Sequence, residues 1–436
     1  MTTAVASLSA SAAVPLLIFE DHRWTQFLPL TLLRSVFDLR VGAGTLAWRV
    51  GNLRPESSGD GLSSLRGAWC RPGLQEIAAR TTGLEVNAAL EGPTLLLNGR
   101  GIWRSLPGRG QSGSWIGIAG ADRQLACLFA DAELARTLAP GDFLEPDGSD
   151  VRFAKLPRRD VSECVELVDW PWNLVKKNQE LLLTDLGPAA LSQPDESESP
   201  PREGVYLLNR AGIRIGRGTK IFPANVIDAD EGPVWIGDRV KILPHCSIQG
   251  PAYIGDDCVL QAGTVLRGGA TLGPFCKVGG EIEGSVFAGY SNKQHTGFLG
   301  HSYVGSWVNL GAGSSNSDLK NTYGTVRVPI NGTEVETGEM FVGATIGDHA
   351  KIGINCAIPT GASIGFSSAV NTVRSPKFVP NFQWLEDGRS VLYEPERALN
   401  VAEKMMARRR ILMSEAERAA FLEAAAVTRK MLNSRG

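Results

Sequence analysis

The chain has 436 residues, 43% hydrophobic and 21% charged, with 44 Lys and Arg against 46 Asp and Glu for a net charge of −2. That balance excludes a disordered chain and, at about 150 residues per domain, allows about three domains or fewer. No apolar run approaches the roughly 18 residues of a membrane-spanning helix, and the near-neutral charge gives no reason to expect nucleic acid or an anionic membrane as partner. Seven cysteines without paired CxxC spacing suggest neither a zinc site nor a disulfide framework. With the odd count and the lack of an export signal in residues 1–13, they fit a reducing cytoplasm.

Residues 14–185 mix short apolar runs with helical patterns. Val14–Phe19, Thr94–Leu97 and Gln124–Ala130 read as strands of an α/β domain. Residues 186–203, rich in Pro, Ser and Glu, form a linker too polar to pack.

From residue 204 to 375 the period changes. Every sixth residue from Ile236 is aliphatic: Ile236, Ile242, Ile248, Ile254, Leu260, Leu266, Leu272, Val278. The series resumes at Ile346, Ile352, Ile358, Ile364 and Val370. Neither a helix nor an ordinary strand has this period, but a solenoid of three-sided coils does. Each hexad supplies one short parallel strand and one corner, with the aliphatic residue pointing inward. Four positions on, a small residue is required, and Val240, Cys246, Ala252, Cys258, Thr264, Ala270, Cys276 and Cys356 stand there. Those cysteines are therefore packing residues. Glycines one position after the aliphatic residue (Gly237, Gly255, Gly273, Gly347, Gly353, Gly365) are expected to make the sharp turn. The concentration of glycine in this region accounts for much of the chain's total of 50. His245, His301 and His349 fall at corners and are expected to be solvated.

The region resembles the hexapeptide-repeat acyltransferases. That resemblance implies a left-handed parallel β-helix, a homotrimer, and an acyl-CoA in the grooves between neighbouring coils. Residues 394–433 read as a helical tail, with Ser414 and Glu417 spaced as a capping box. The tail is locally basic: a solvated or subunit-packing helix is one reading, contact with a CoA phosphate or another anionic partner the other.

The repeat loosens between Gly279 and Phe341. There His295 is followed by Phe298-Leu299-Gly300, Val304-Gly305 and Asn309-Leu310-Gly311-Ala312-Gly313. This segment resembles the acetyltransferase half of the bifunctional enzymes that make UDP-N-acetylglucosamine. The resemblance implies that His295 is the general base and that Asn309 orients the sugar or the thioester. It also implies a donor, acetyl-CoA, held along Gly311, Ala312 and Gly313, and a sugar phosphate gripped by Arg267. An imidazole suits the first task because an amine nucleophile must lose a proton near neutral pH. The family's second phosphate-binding lysine falls near Ser285 here, and Lys320 is a candidate replacement.

Residues 28–35 (LPLTLLRS) resemble the Pro-Leu-Thr stretch of sugar-1-phosphate nucleotidyltransferases, and LLLNGR at 95–100 resembles their Asn-Gly-Asp strand. The usual glycine-rich loop is absent, and Arg100 stands where a magnesium-binding aspartate is expected. Arg23, Arg34, Arg40 and Arg100 are candidates to grip the phosphates of a nucleoside triphosphate and a sugar phosphate. Asp21 or Glu20 is a candidate to hold Mg2+. The alternative reading is that these charges pair with each other at a domain surface. Together with Trp170-Pro171-Trp172-Asn173-Leu174-Val175 and Asn178, the pattern resembles a divergent bacterial subfamily of the bifunctional uridyltransferase/acetyltransferases. Three readings remain: a transferase active in both halves, a nucleotidyltransferase with the coil as trimerising scaffold, and an acyltransferase with a nucleotide-sensing first domain.

Overall fold

The computed structural model describes residues 13–53, 62–108, 113–146, 148–187, 190, 203–386 and 388–433. Nearly all of the expected linker and leader lies outside the described residues. The chain divides into two compact units. One comprises Met1–Arg23, Val36–Asp38 and Leu46–Val168; the other comprises Trp24–Ser35, Leu39–Thr45 and Asp169–Gly436.

The first unit is built on a seven-stranded sheet. Its strands are β1 (Val14–Phe19), β2 (Leu62–Trp69), β3 (Glu85–Val86), β4 (Thr94–Asn98), β5 (Trp115–Ala119), β6 (Gln124–Ala130) and β7 (Arg158–Asp160). Their order is β7-β5-β6-β4-β1-β2-β3. β1 runs parallel to both neighbours, β2 and β4, while β6 is antiparallel to β4 and β5. Strands covered on both faces read as unbroken apolar runs, which is why VPLLIF and TLLL stand out in the sequence. Leu17, Phe19, Trp69, Leu96, Leu128 and Phe143 form one core cluster. At the carboxyl ends of β1 and β4 the chain presents Glu20-Asp21 and Asn98-Gly99-Arg100.

The second unit contains a three-sided parallel β-helix. One side has six strands from Val205–Leu208 to Phe298–Gly300, continued by the pair Ser315–Asn316 and Ala357–Ile358. The other sides have nine and ten strands, and the last, Arg389–Leu392, is antiparallel. Ile236 pairs with Ile254, and Ile254 with Leu272, so each coil takes three hexads. All eight aliphatic residues from Ile236 to Val278 are 0% exposed. The small residues four positions on are buried too, as their slot requires. The coil runs past the expected end at 375, through Phe378–Val379 and Gln383–Glu386. It also continues through the segment expected to loosen, reaching Asn316 in shortened coils. It is then interrupted by an excursion bearing the hairpin Arg327–Ile330/Thr333–Glu336.

The corners correct the role expected of glycine. Gly237, Gly255 and Gly273 do not carry positive φ; the left-handed residues lie two positions later, at Arg239, Asp257 and Phe275 (φ 55°, 58° and 60°). Glycine is needed for close approach instead. A Cβ on Gly255 would lie 2.9 Å from the backbone nitrogen of Pro274 in the next coil. Non-glycine residues in the left-handed region are costly, and along this corner they stack on one another. Arg239 pairs with Asp257 at 2.8 Å. Above them Phe275 and Tyr290 rings stack at 4.8 Å, Tyr290 and Trp307 at 4.4 Å, and Trp307 and His349 at 6.3 Å.

His349 is therefore not solvated as expected. It is 4% exposed and meets Phe366 and Phe421 edge-on. Burial, then the nearby Lys351 and Arg34 charges, push its imidazole well below the usual range. His245 is exposed, as expected.

Helix α1 (Pro171–Asp185) belongs to the β-helix unit. Its buried Asn178 explains why: Oδ1 accepts from Gly42 N at 2.7 Å, and Nδ2 donates to Gly269 O at 2.8 Å. The Pro-Leu-Thr segment packs in the same unit, with Leu28 and Leu32 in a cluster with Phe366, Phe382 and Phe421. The tail forms α2 (Pro395–Ala407) and α3 (Glu415–Asn433), the latter opened by the expected reciprocal Ser414–Glu417 cap. Phe421 of α3 packs on the unit's own aromatic residues, so the tail is a packing element of its own chain.

Candidate functional site

In the first unit, the carboxyl ends of β1 and β4 bring Asp21 and Arg100 together. Arg100 is 1% exposed. Its Nε lies 2.9 Å and its Nη2 2.8 Å from Asp21 Oδ2. Nη1 donates to Val168 O and Nη2 also to Gln124 Oε1, each at 2.8 Å. Asn98 Nδ2 adds a third donor to Asp21 at 2.9 Å. Burial alone would raise the Asp21 carboxyl; the charge and hydrogen bonds of Arg100 outweigh it and hold it below the usual range. Next to it, Glu20 accepts from Arg71 Nη1 at 2.6 Å and from Val36 N at 2.9 Å. There burial wins, and the Glu20 carboxyl is raised despite Arg71.

These contacts correct two expectations. Arg100 does not project to grip a phosphate, because its donors are engaged by protein acceptors. Asp21 and Glu20 each face a guanidinium, so the residues present do not fit Mg2+, which needs carboxylate charge directed at the ion. Among the described residues no group of three or more His, Cys, Asp or Glu is placed to hold a metal. Arg23 lies beside this cluster, its backbone N–H donating to Asp21 Oδ1 at 3.1 Å.

The other two arginines make their contacts in the second unit. Arg34 Nη2 meets Asp348 Oδ2 at 2.5 Å and Ser306 Oγ at 3.1 Å. The Arg40 backbone exchanges hydrogen bonds with Tyr303 Oη, and its Nη1 donates to Ala43 O at 3.2 Å. Arg34 thus ties the Pro-Leu-Thr segment to the coil through its side chain, and Arg40 ties the stretch after it to the coil through its backbone.

In the β-helix, His295 is exposed at the corner that follows Asn292–Lys293. What holds that corner is a residue the sequence reading missed. Lys293 occupies an inward, normally aliphatic slot, paired in register with Val278. It is 1% exposed, and its Nζ donates to Gly279 O at 3.1 Å and to the carbonyl of His295 at 2.9 Å. Burial lowers its ammonium to about 8. The signal was available in the shortened repeat, once Val278 is paired with Lys293 instead of with the next hexad residue.

Asn309 lies in register with Asn292 one coil below, at 3.4 Å between side chains. Asn292 also takes a 2.5 Å hydrogen bond from Arg409, which lies between α2 and α3. Of the Gly311–Gly313 stretch, the Gly311 N–H joins the ladder to Ile352 O and the Gly313 N–H donates to Thr296 O. Ala312 accepts through its carbonyl from Asn355 N at 2.7 Å. Two of the three amides expected near a donor thioester are therefore engaged between coils. Arg267 is 48% exposed but pairs with Glu281 at 2.5 Å and approaches Glu283 at 4.0 Å. A phosphate there must displace a carboxylate. Lys320 sits in the excursion and donates to Thr325 O.

His301 departs from its expected solvation. It is 30% exposed, and its Nδ1 lies 2.8 Å from Asp318 Oδ2.

Residues 16–190 match the family model described as sugar nucleotidyl transferase, and residues 233–268 match that of bacterial transferase hexapeptide repeats. The bifunctional sugar-1-phosphate nucleotidylyltransferase/acetyltransferase of Sulfurisphaera tokodaii is 34% identical over 85 residues, 20% of this chain and 21% of that protein. The bifunctional protein GlmU of Methanococcus vannielii is 32% identical over 90 residues, 21% of this chain and 22% of its own. That of Methylibium petroleiphilum is 29% identical over 217 residues, 44% and 42% of the two chains. The chain thus spans from 21% to 42% of the length of these curated relatives. A solved structure, the UDP-N-acetylglucosamine O-acyltransferase (LpxA) of Moraxella catarrhalis, is 10% identical, covers 51% of this chain and 93% of that one, and has a TM-score of 0.27. Residues 16–190 are thus similar to sugar nucleotidyl transferases and residues 233–268 to the hexapeptide repeats of bacterial transferases, and the curated relatives include proteins named as bifunctional nucleotidylyltransferase/acetyltransferases.

Proposed function

We propose that this is a cytoplasmic transferase of nucleotide-sugar synthesis whose β-helix moves an acetyl group from acetyl-CoA to the amine of an amino-sugar phosphate. The observation that carries the reading is the ungapped His295-to-Gly313 motif, with His295 exposed at a corner that Lys293 braces from within. The amine nitrogen attacks the thioester carbonyl carbon, His295 takes the proton the amine must lose, and the C–S bond breaks to release CoA. Arg267 and Asn309 bind the acceptor, Arg267 after its release from Glu281. Assembly as a homotrimer would place the donor in a seam between copies. No helix among the described residues is long and apolar enough to cross a membrane.

The first unit, on this proposal, takes a nucleoside triphosphate and a sugar 1-phosphate. The Asp21–Arg100 pair favours a second reading of that unit, as a nucleotide-binding module that does not transfer. Arg100 already supplies the positive charge that a metal would bring to Asp21.

The test is thiol release from acetyl-CoA with a panel of amino-sugar phosphates. His295→Ala should lose about 10²-fold or more, as for a general base. Equal turnover by the variant and the parent rejects His295. Pyrophosphate release with UTP and a sugar 1-phosphate, measured in parallel, separates the two readings of the first unit.

A further inference from the structure

The corner that carries His301 borders a cavity of about 450 Å³ unrelated to the contacts of His295. Its floor is the backbone of Gly269 and Gly284, both left-handed, at φ 78° and 49°. A Cβ on Gly284 would sit 3.1 Å from the His301 ring, so a side chain there would press on the imidazole. One wall is α1, through Trp172, Val175, Lys176 and Gln179; the other is the end of the excursion, through Glu339, Met340 and Phe341, and Lys176 and Glu339 neutralise each other across it at 2.5 Å. Met340 and Phe341 are 42% and 51% exposed, a costly display of apolar surface beside a cavity. Phe341 lies 5.3 Å from the His301 ring.

The polar chemistry of the cavity is directional. Asp318, 14% exposed, lies 2.8 Å from His301 Nδ1; a carboxylate can only accept, so the Nδ1 proton is held there, and a neutral ring then offers its Nε2 lone pair as an acceptor. That nitrogen lies over Gly284 on the cavity floor. The Gln179 amide, on the α1 wall, adds a donor and an acceptor. Apolar walls with a few convergent polar groups are the general form of a small-molecule site.

We propose that this cavity binds a neutral ring whose edge carries an N–H or O–H, donated to His301 Nε2, while its face lies against Phe341 and Met340. A nucleobase and a hexose ring both offer that chemistry. Asp318 is a positioning residue: it sets the tautomer and does not touch the ligand. The proposal does not require turnover in either unit.

The test uses the full-length protein and calorimetry with uridine, N3-methyluridine and a methyl hexopyranoside, each to millimolar concentration. Either uridine or the hexoside should bind, which names the source. Loss of the edge donor, by N3-methylation or by deoxygenation of the hexoside, should weaken binding at least 10-fold. His301→Phe should do the same. Asp318→Asn is the sharper variant, because its amide donates to Nδ1 and moves the proton to Nε2. That change should cost the donor-bearing probe at least 10-fold and leave the methylated or deoxygenated probe unaffected. A circular dichroism spectrum and melting curve like the parent's confirm that each variant is folded. The proposal is overturned if neither probe binds the parent, if removing the donor makes no difference, or if the folded His301→Phe and Asp318→Asn variants bind as the parent does.

Discussion

The strand ends of the first unit and the interior of the coil treat charge differently. In the first, ionisable groups at the strand ends neutralise each other: Asp21 with Arg100 and Glu20 with Arg71. In the β-helix, the regular coil holds its interior largely apolar and leaves His295 exposed at a corner, with Lys293 and Asn316 among the polar side chains inside. A repeating scaffold can thus present a reactive group without partnering it. A site assembled at strand ends from buried charges must satisfy each charge locally, and its pairs then compete with any ligand.

The largest effect should come from breaking the first unit's pair. Arg100→Ala leaves Asp21 buried without its partner and should lower stability by about 3–5 kcal/mol in denaturant unfolding. The double variant Asp21→Asn/Arg100→Met should recover much of that. A loss under about 1 kcal/mol for the single change would mean that the pair is solvated and the contrast with the coil is false.

In the coil, Leu272→Ala should cost about 2–5 kcal/mol, because its slot is closed on three sides and cannot collapse. Gly255→Ala should cost about 1–3 kcal/mol, since the Pro274 backbone has little room to shift. If Gly255→Ala is neutral, close approach is not what selects glycine there.

The pH dependences are smaller and carry signs. Lys293 titrates at about 8 when folded, from an ordinary 10.5, so the unfolded chain holds the extra proton between those values. Stability should therefore rise with pH from about 8 toward 10.5, and Lys293→Met should remove that rise. His349 is held well below 6.5 by burial, so stability should fall as pH drops through 6.5, and His349→Phe should blunt the loss. Chemical denaturation at stepped pH checks both.

The coil was legible because one period assigns every slot: Ile236 through Val278 had to be interior, and Cys246, Cys258, Cys276 and Cys356 had to be small packing residues. The tail cap at Ser414 was legible for the same local reason. What the period does not encode was missed. Asn178 binds Gly42 and Gly269 and Arg34 binds Asp348 through contacts between distant segments, and Asp318 orients His301 from 17 residues further along the chain. The glycine error came from assigning left-handed backbone to the residue type that tolerates it best. Aromatic stacking made the conformation affordable at Phe275, Tyr290 and Trp307. The pairing of Asp21 with Arg100 was visible as one of two alternatives, and only geometry could choose between them.

The most direct measurement is the crystal structure of the complex with acetyl-CoA, read as the distance between the His295 imidazole and the thioester carbonyl carbon. The account predicts a donor at that corner with the carbonyl carbon about 3–5 Å from the imidazole, leaving room for the amine between them. A donor bound elsewhere on the protein, or an imidazole turned away from the thioester, would contradict it.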